Sequence, residues 1–212
     1  MLGRKVSLEK WKDEKKAPAA FGPRAKIGVL LVQGDMIDGR SETVPLLNIR
    51  LLGSYTIQEQ AKRLKDDPTV KAVVLRIESP GGSSMAADVM WRELSELAKK
   101  KPLIVSMGSS AASGGYYIAS PGRTIFALPL TITGSIGIFY GKADVSELLR
   151  KIGVNVETYK ATPRADAESF YRGFTDDERE ALRVKILQFY DMFLSRVAEG
   201  RHMTKEQVNA VG

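Results

Sequence analysis

Residues 106–118 read Ser-Met-Gly-Ser-Ser-Ala-Ala-Ser-Gly-Gly-Tyr-Tyr-Ile, and their types and order could do chemistry. The apolar run Leu103-Ile104-Val105 enters this stretch, which then reaches Ser113 with two glycines behind it. Small residues let backbone approach backbone or ligand closely, and a hydroxyl at a strand-to-helix switch can face a cleft. The Gly114 N–H would lie at a helix N-terminus, where partial positive charge favours an anion. A nucleophile beside an oxyanion donor is the core of an acyl-transfer site. The same residues would also serve a tight Gly-rich strand–helix packing site with no chemistry. A second small-residue turn, Ser79-Pro80-Gly81-Gly82-Ser83, also follows an apolar run, Val70 to Ile77.

A serine nucleophile needs a base. His202 is the sole histidine and sits in a basic turn between Arg201 and Met203, a context that suits a surface or capping residue. The surroundings of Ser113 read A-x-S-x-G, one residue off the G-x-S-x-G elbow of enzymes that need an acid and a histidine. No H-E-x-x-H or carboxylate–histidine cluster suggests a metal, and the absence of cysteine excludes thiolate catalysis. Gly137 to Lys142 has the wrong spacing for a phosphate loop, and Ala143 stands where Ser or Thr is needed. A lysine base remains. From a reference pKa near 10.4 it must fall by roughly three units, about 4 kcal/mol, which burial away from acids can supply. Lys160 is the candidate because it ends the apolar-flanked segment Val154 to Tyr159, although spacing alone also fits an ordinary strand-end lysine.

These groups need a scaffold. Ile27 to Val32 reads as a strand buried on both faces, and Gly34 to Gly53 as a long loop region. Thr56 to Glu59 spells a capping box opening a helix that ends before Pro68. Val70 to Ile77 is a second strand, Ser84 to Lys100 an amphipathic helix with a basic end, and Tyr116 to Ala119 a short helix. Strands are expected over Thr124 to Leu128 and Val154 to Tyr159, with a capped helix from Asp144 to Gly153 between them. Thr175 to Glu178 opens a long helix whose row Leu182, Ile186, Phe189, Phe193 and Val197 reads as core packing, and Thr204 to Gln207 opens another. Alternating strands and helices with short connections predict an α/β domain with a mostly parallel sheet. Ligands of such sheets bind at the carboxyl ends of strands, so Gly81-Gly82 and Ser113 should converge on one crevice.

The chain has 212 residues, 43% hydrophobic, enough for one substantial core. Of the net charge of +7, residues 1–26 carry +5, with eight basic residues against three acidic ones. The rest is nearly balanced, so the basicity belongs to an arm, which reads as a solvated linker ahead of a contact with an anionic membrane surface or nucleic acid. No apolar run is long enough to span a bilayer, and the N-terminus lacks the apolar region of a signal peptide.

In order and spacing, Ser79-Pro80-Gly81-Gly82-Ser83, Ala111-Ala112-Ser113-Gly114-Gly115-Tyr116, Thr133-Gly134-Ser135-Ile136-Gly137 and Tyr159-Lys160 resemble the signal peptide peptidase A family of serine–lysine peptidases. The similarity extends from about Lys26 to the end. It implies a Clp protease/crotonase-like fold of repeated β-β-α units with a mostly parallel sheet. It also implies a basic linker or arm over residues 1–25 and a peptidase domain over 26–212. By resemblance the nucleophile is Ser113 and the general base Lys160. Ser135, 22 residues after the nucleophile (135 − 113), would orient the lysine, and the Gly81 and Gly114 N–H groups would form the oxyanion hole. Gly82, Ile138 and Phe139 would bind peptide, with extended substrate adding as a strand beside Gly81-Gly82. No cofactor or metal is implied.

The implied substrates are peptides, remnant signal peptides among them, cleaved at the extracytoplasmic side of a bacterial membrane. The implied partners are further subunits in a ring that shares serine and lysine between neighbours, or a partner half-domain. Set beside the family, the sequence lacks the membrane anchor and the stretch expected after Val211-Gly212, so a truncated or processed chain is expected. Residues 1–25 look like the segment joining the two halves of the family's long form. Two other readings keep the fold without this chemistry: an inactive scaffold half, and a crotonase-like acyl-coenzyme A enzyme.

Overall fold

The computed structural model describes residues 24–46 and 49–212, so most of the arm expected over residues 1–25 lies outside the described residues. The chain opens with β1 (Lys26–Gln33), β2 (Asp35–Ile37), β3 (Glu42–Val44), β4 (Ile49–Gly53), α1 (Ser54–Asp66), β5 (Val70–Ser79), α2 (Ser84–Lys100) and β6 (Leu103–Ala112). It continues with α3 (Gly114–Ala119), β7 (Thr124–Phe126), β8 (Ile132–Gly134), α4 (Ser146–Lys151), α5 (Asp176–Arg201) and α6 (Lys205–Asn209). The main sheet runs β1-β5-β6-β7, all parallel, and β8 pairs with β6 beyond the end of β7. Parallel neighbours need crossovers, which α1 and α2 supply.

The core lies on one face of this sheet. Leu30, Val32, Val73, Leu75, Ile77, Leu103, Val105 and Met107 bury their side chains with Ile57 and Ala61 of α1 and Met90, Leu94 and Leu97 of α2. The apolar run of β1 is therefore buried on one face only: Ile27, Val29 and Leu31 are 69%, 61% and 63% exposed. Alternate side chains of a strand point to opposite faces, and among the described residues no element covers this second face.

Several local expectations meet a competing bond. The sequence reading of α2 matches the structure from Ser84 to Lys100, with the Ser83 hydroxyl accepting from the Ala86 N–H. In α1 the Thr56–Glu59 capping box does not form. Thr56 Oγ1 accepts from the Ser41 N–H at 2.9 Å, Glu59 pairs with Arg40, and the helix starts earlier, at Ser54. The region expected as loop from Gly34 to Gly53 holds a small sheet, β2-β4-β3. Residues 154–159 form no strand, because no ladder partner stands beside them among the described residues, and Val154, Val156 and Tyr159 are exposed.

Both C-terminal capping boxes form, at Thr175/Glu178 and at Thr204/Gln207. The C-terminal half of α5 packs into the core, where the Phe193 and Tyr117 rings lie 4.9 Å apart. Asp88 of α2 accepts from the Tyr117 hydroxyl at 2.7 Å and from Arg196 at 3.3 Å. The Arg196 guanidinium lies 4.0 Å over the Trp91 ring, whose N–H donates to Ser120. This network fixes α3, the helix that begins just after Ser113, against α2 and α5. Burial, then the bond to Asp88, pushes the Tyr117 phenol well above its ordinary range.

Candidate active site

Ser113 occupies the N-cap of α3 at the carboxyl end of β6, with φ 51 and ψ −119. A positive φ is uncommon outside glycine and is stored strain, of the kind that clusters at active sites. The Ser113 hydroxyl makes no capping bond, which leaves Oγ half-buried and available. Its N–H donates to the Gly134 carbonyl at 2.9 Å.

That bond continues the β6–β8 ladder, in which Ser110, Ala111 and Ala112 face Ile132, Thr133 and Gly134. Ser113 and Ser135 are the next residues along the two strands, just past the last ladder pair. The 22-residue spacing in the sequence is thus the register of two parallel strands. Ser135 shares the unusual φ of 51, and both serines line one cavity of about 1020 Å³.

The Gly81-Gly82 turn meets the same cavity from β5. At Gly81, with φ 105, a Cβ would come within 2.6 Å of the Gly114 nitrogen and 2.9 Å of the Ser113 Cβ, so only glycine fits. At Gly82, with φ 142, a Cβ would strike the Met36 carbonyl oxygen at 2.3 Å. Strand β2 backs this turn: the Met36 N–H donates to the Gly81 carbonyl and the Ser83 N–H to the Met36 carbonyl. This parallel bridge turns the N–H and C=O of Gly82 away from β2. The Gly114 N–H, first in its helix, has no intrahelical acceptor. The Gly81 N–H donates to Ser79 Oγ at 3.2 Å, and that hydroxyl in turn donates to the Gly34 carbonyl at 2.7 Å.

Glu78 braces the approach to Ser113, accepting from the Ser109 hydroxyl and N–H and from the Ser110 N–H. Those bonds, the Ser109 hydroxyl first, hold its carboxyl below the usual carboxylate range.

Ile138 and Phe139 line the cavity with Gly82. The opposite wall comes from α5, and here the expectation of a core row needs correction. Phe193 and Val197 are buried, but Leu182, Ile186 and Phe189 face the Ser113 cavity. Helical spacing alone cannot tell a core from a cleft, so this wall carried no separate signal. Lys185 of α5 lines the same cavity. A hollow of about 20 Å³, close to the room one water needs, lies beneath Ser113 against Phe189, Met192 and Phe193.

Lys160 stands apart. It neither ends a strand nor lies buried away from acids, as the sequence reading required. Its side chain is 38% exposed, with Nζ 3.0 Å from Asp166 Oδ1 and 3.2 Å from the Pro163 carbonyl. It lines a separate hollow with Arg172, Thr175 and Glu178 at the start of α5. Eight to eleven helical residues separate Glu178 from Ile186 and Phe189, about 12–16 Å along the axis. The structure thus brings together Ser113, Ser135, Gly81, Gly82, Gly114, Ile138 and Phe139 and leaves Lys160 outside the group. His202 caps α5 with φ 55, exposed and away from the cavity lining.

Comparison with known proteins adds a second line of support. Residues 95–212 match the model of peptidase family S49. Over 87% of its length the chain is 40% identical to Protease 4 of Haemophilus influenzae, and over 92% it is 38% identical to Protease 4 of Salmonella typhi. It is also 37% identical over 75% of its length to the chloroplastic serine protease SPPA of Arabidopsis thaliana. The chain spans 29%, 30% and 24% of these three relatives. With its parallel sheet, glycine turn and serine-bearing strand end, the chain belongs to peptidase family S49, the signal peptide peptidase A family, and has that family's Clp protease/crotonase-like fold.

Proposed function

We propose that the chain is a serine peptidase domain, formed by residues 26–212, that hydrolyses peptides with Ser113 as nucleophile and Lys160 of a neighbouring subunit as general base. The carrying observation is the strained Ser113, followed by the Gly114 amide, on the same cavity of about 1020 Å³ as Ser135 and the Gly81-Gly82 turn. Ser113 Oγ attacks the scissile carbonyl carbon while a neutral Lys160 amine takes its proton. The oxygen of the tetrahedral intermediate accepts from the Gly114 N–H and from the glycine turn. The Gly81 N–H reaches it by giving up Ser79 Oγ, and the Gly82 N–H is already turned from β2. The C–N bond then breaks, the leaving amine takes the proton from Lys160, and water hydrolyses the acyl-enzyme by the reverse proton path. Ser135 would hold the incoming lysine amine by a hydrogen bond. The apolar walls Ile138, Phe139, Leu182, Ile186 and Phe189 favour apolar peptide segments, which suits remnant signal peptides at an extracytoplasmic membrane surface. No helix among the described residues is long and apolar enough to cross a membrane.

A fluorophosphonate probe should label Ser113, and the Ser113→Ala protein should stay unlabelled. A serine silent at every protein concentration would favour the scaffold half or an acyl-coenzyme A enzyme. Mixing inactive Ser113→Ala with inactive Lys160→Ala protein should restore part of the activity, since some interfaces then pair two intact residues.

A second reading rests on Lys185, which lines the Ser113 cavity within one chain. It requires that Lys185→Met abolish turnover and that Lys160→Ala spare it.

A further inference from the structure

Asp166 and Glu178 flank a single guanidinium, and the sum of their charges is short by one cation. Arg172 donates to Asp166 through Nη2 at 2.7 Å and Nε at 3.1 Å, and to Glu178 through Nη1 at 2.7 Å and Nη2 at 2.6 Å. The two carboxylates are 10% and 4% exposed, so two negative charges and one positive are largely withdrawn from water. Arg164 and Asp177 at the rim pair with each other and leave the balance unchanged. The missing positive charge is Lys160, whose Nζ donates to Asp166 Oδ1 and to the Pro163 carbonyl. Bonds from Arg172, and then from Lys160, hold the Asp166 carboxyl far below the usual range, so it stays charged wherever a peptidase would work. Glu178 is tied down in turn by the Thr175 N–H of the α5 capping box.

This is a rigid seat for one ammonium, built on the first turn of the helix whose middle walls the Ser113 cavity. We propose that Asp166 is a positioning residue that holds Lys160 in this seat in the free subunit, so that assembly must withdraw the lysine before a neighbour's Ser113 can be activated. Once Lys160 has left, Asp166 keeps its bonds to Arg172, and the lysine amine, in the form that the reading above requires, is free to take the Ser113 hydroxyl proton. The inference rests on the Ser113–Lys160 reading above, and it makes the seat a competitor of the active site for the same side chain.

Asp166→Asn keeps the shape of the seat and removes the charge that Lys160 answers. At neutral pH and limiting protein concentration its peptidase rate should rise about twofold to fivefold, the range set by a partly exposed ion pair. Asp166→Glu should stay nearer the parent. The decisive version uses mixed subunits. Asp166→Asn placed in the Ser113→Ala chain, which supplies the working lysine, should raise the rescued activity; placed in the Lys160→Ala chain it should not. A variant that merely misfolds lowers both mixtures. An equal effect in both, or no rise in the first, overturns the proposal. If the parent mixture shows no rescue, the shared dyad fails and the proposal fails with it, whereas rescue that Asp166→Asn in the lysine-supplying chain does not raise overturns the seat alone.

Discussion

Ser113 and Ser135 both adopt φ 51 without being glycine. At Ser113 that conformation goes with a hydroxyl that makes no capping bond to α3. Glycine there would relieve the strain. Ser113→Gly should abolish peptide hydrolysis yet stabilise the fold by about 1 kcal/mol, the relieved strain less the entropy cost of glycine. Ser113→Ala keeps the strained backbone and should unfold close to the parent temperature, so thermal unfolding of the two variants separates strain from chemistry. Ser135→Ala should lower kcat by about tenfold to a thousandfold, as expected when a lysine base loses its guide. Parent-like turnover in that variant would leave the Thr133–Gly137 segment a purely structural role. At this scale the meeting of Ser113, Gly81 and Gly114 was legible because each follows a buried strand of one parallel sheet, whose carboxyl ends lie together. The surroundings of Lys160 were not legible: Asp166 is six residues on, and nothing in the spacing says that the chain folds back to it.

Among the elements, α5 does the most varied work. Its first turn carries Glu178, whose carboxyl is held down to about 2, against an ordinary 4.5, by the Arg172 bonds first and the Thr175 N–H second. A depressed carboxylate stabilises the fold fully above its unfolded value and loses that contribution as pH falls through its folded value. The start of α5 should therefore loosen between about pH 4.5 and pH 2. Hydrogen exchange along residues 176–182 would detect this, and Glu178→Gln should already lack the protection at neutral pH. The middle of α5 sets the depth of the hollow beneath Ser113. Phe189→Ala should shift kcat/KM toward peptides with larger side chains at the cleaved position, and an unchanged preference across such a series would place that subsite elsewhere.

Legibility at the element scale followed local chemistry. The sequence located α2 to the residue because Ser83 caps it and no competitor takes the cap. It misplaced the start of α1 because Thr56 is claimed by Ser41, a residue fifteen positions away. It passed over β2, whose three residues have no period and whose role is to back the glycine turn.

For the whole molecule, the uncovered face of β1 and the distance of Lys160 from the Ser113 cavity both suggest a subunit that works in company. Specific activity should rise with protein concentration as subunits associate, and sedimentation should follow the same curve. A species that sediments as a monomer and still cleaves peptide at full specific activity would end the shared-site reading. Replacing Val29 with lysine on the open face should leave the core intact, since Val29 is 61% exposed, and tests whether that face takes part in association.

The pairing of β6 with β8 bears on how such a chain can change over time. Ser113 and Ser135 are neighbours because of a ladder, and the count of residues between them is incidental to it. Residues 127–131 join β7 to β8, and around exposed Leu128 and Leu130, ahead of the Thr131 bond to the Gly108 carbonyl, this connection could gain or lose residues without parting the two serines. A one-residue slip inside β8 would instead turn Ser135 to the other side of the sheet. Descent should therefore be permissive of length at the tip of this connection and intolerant of it within three residues of either serine, so a fixed interval is a poor way to find the same pair in distant kin.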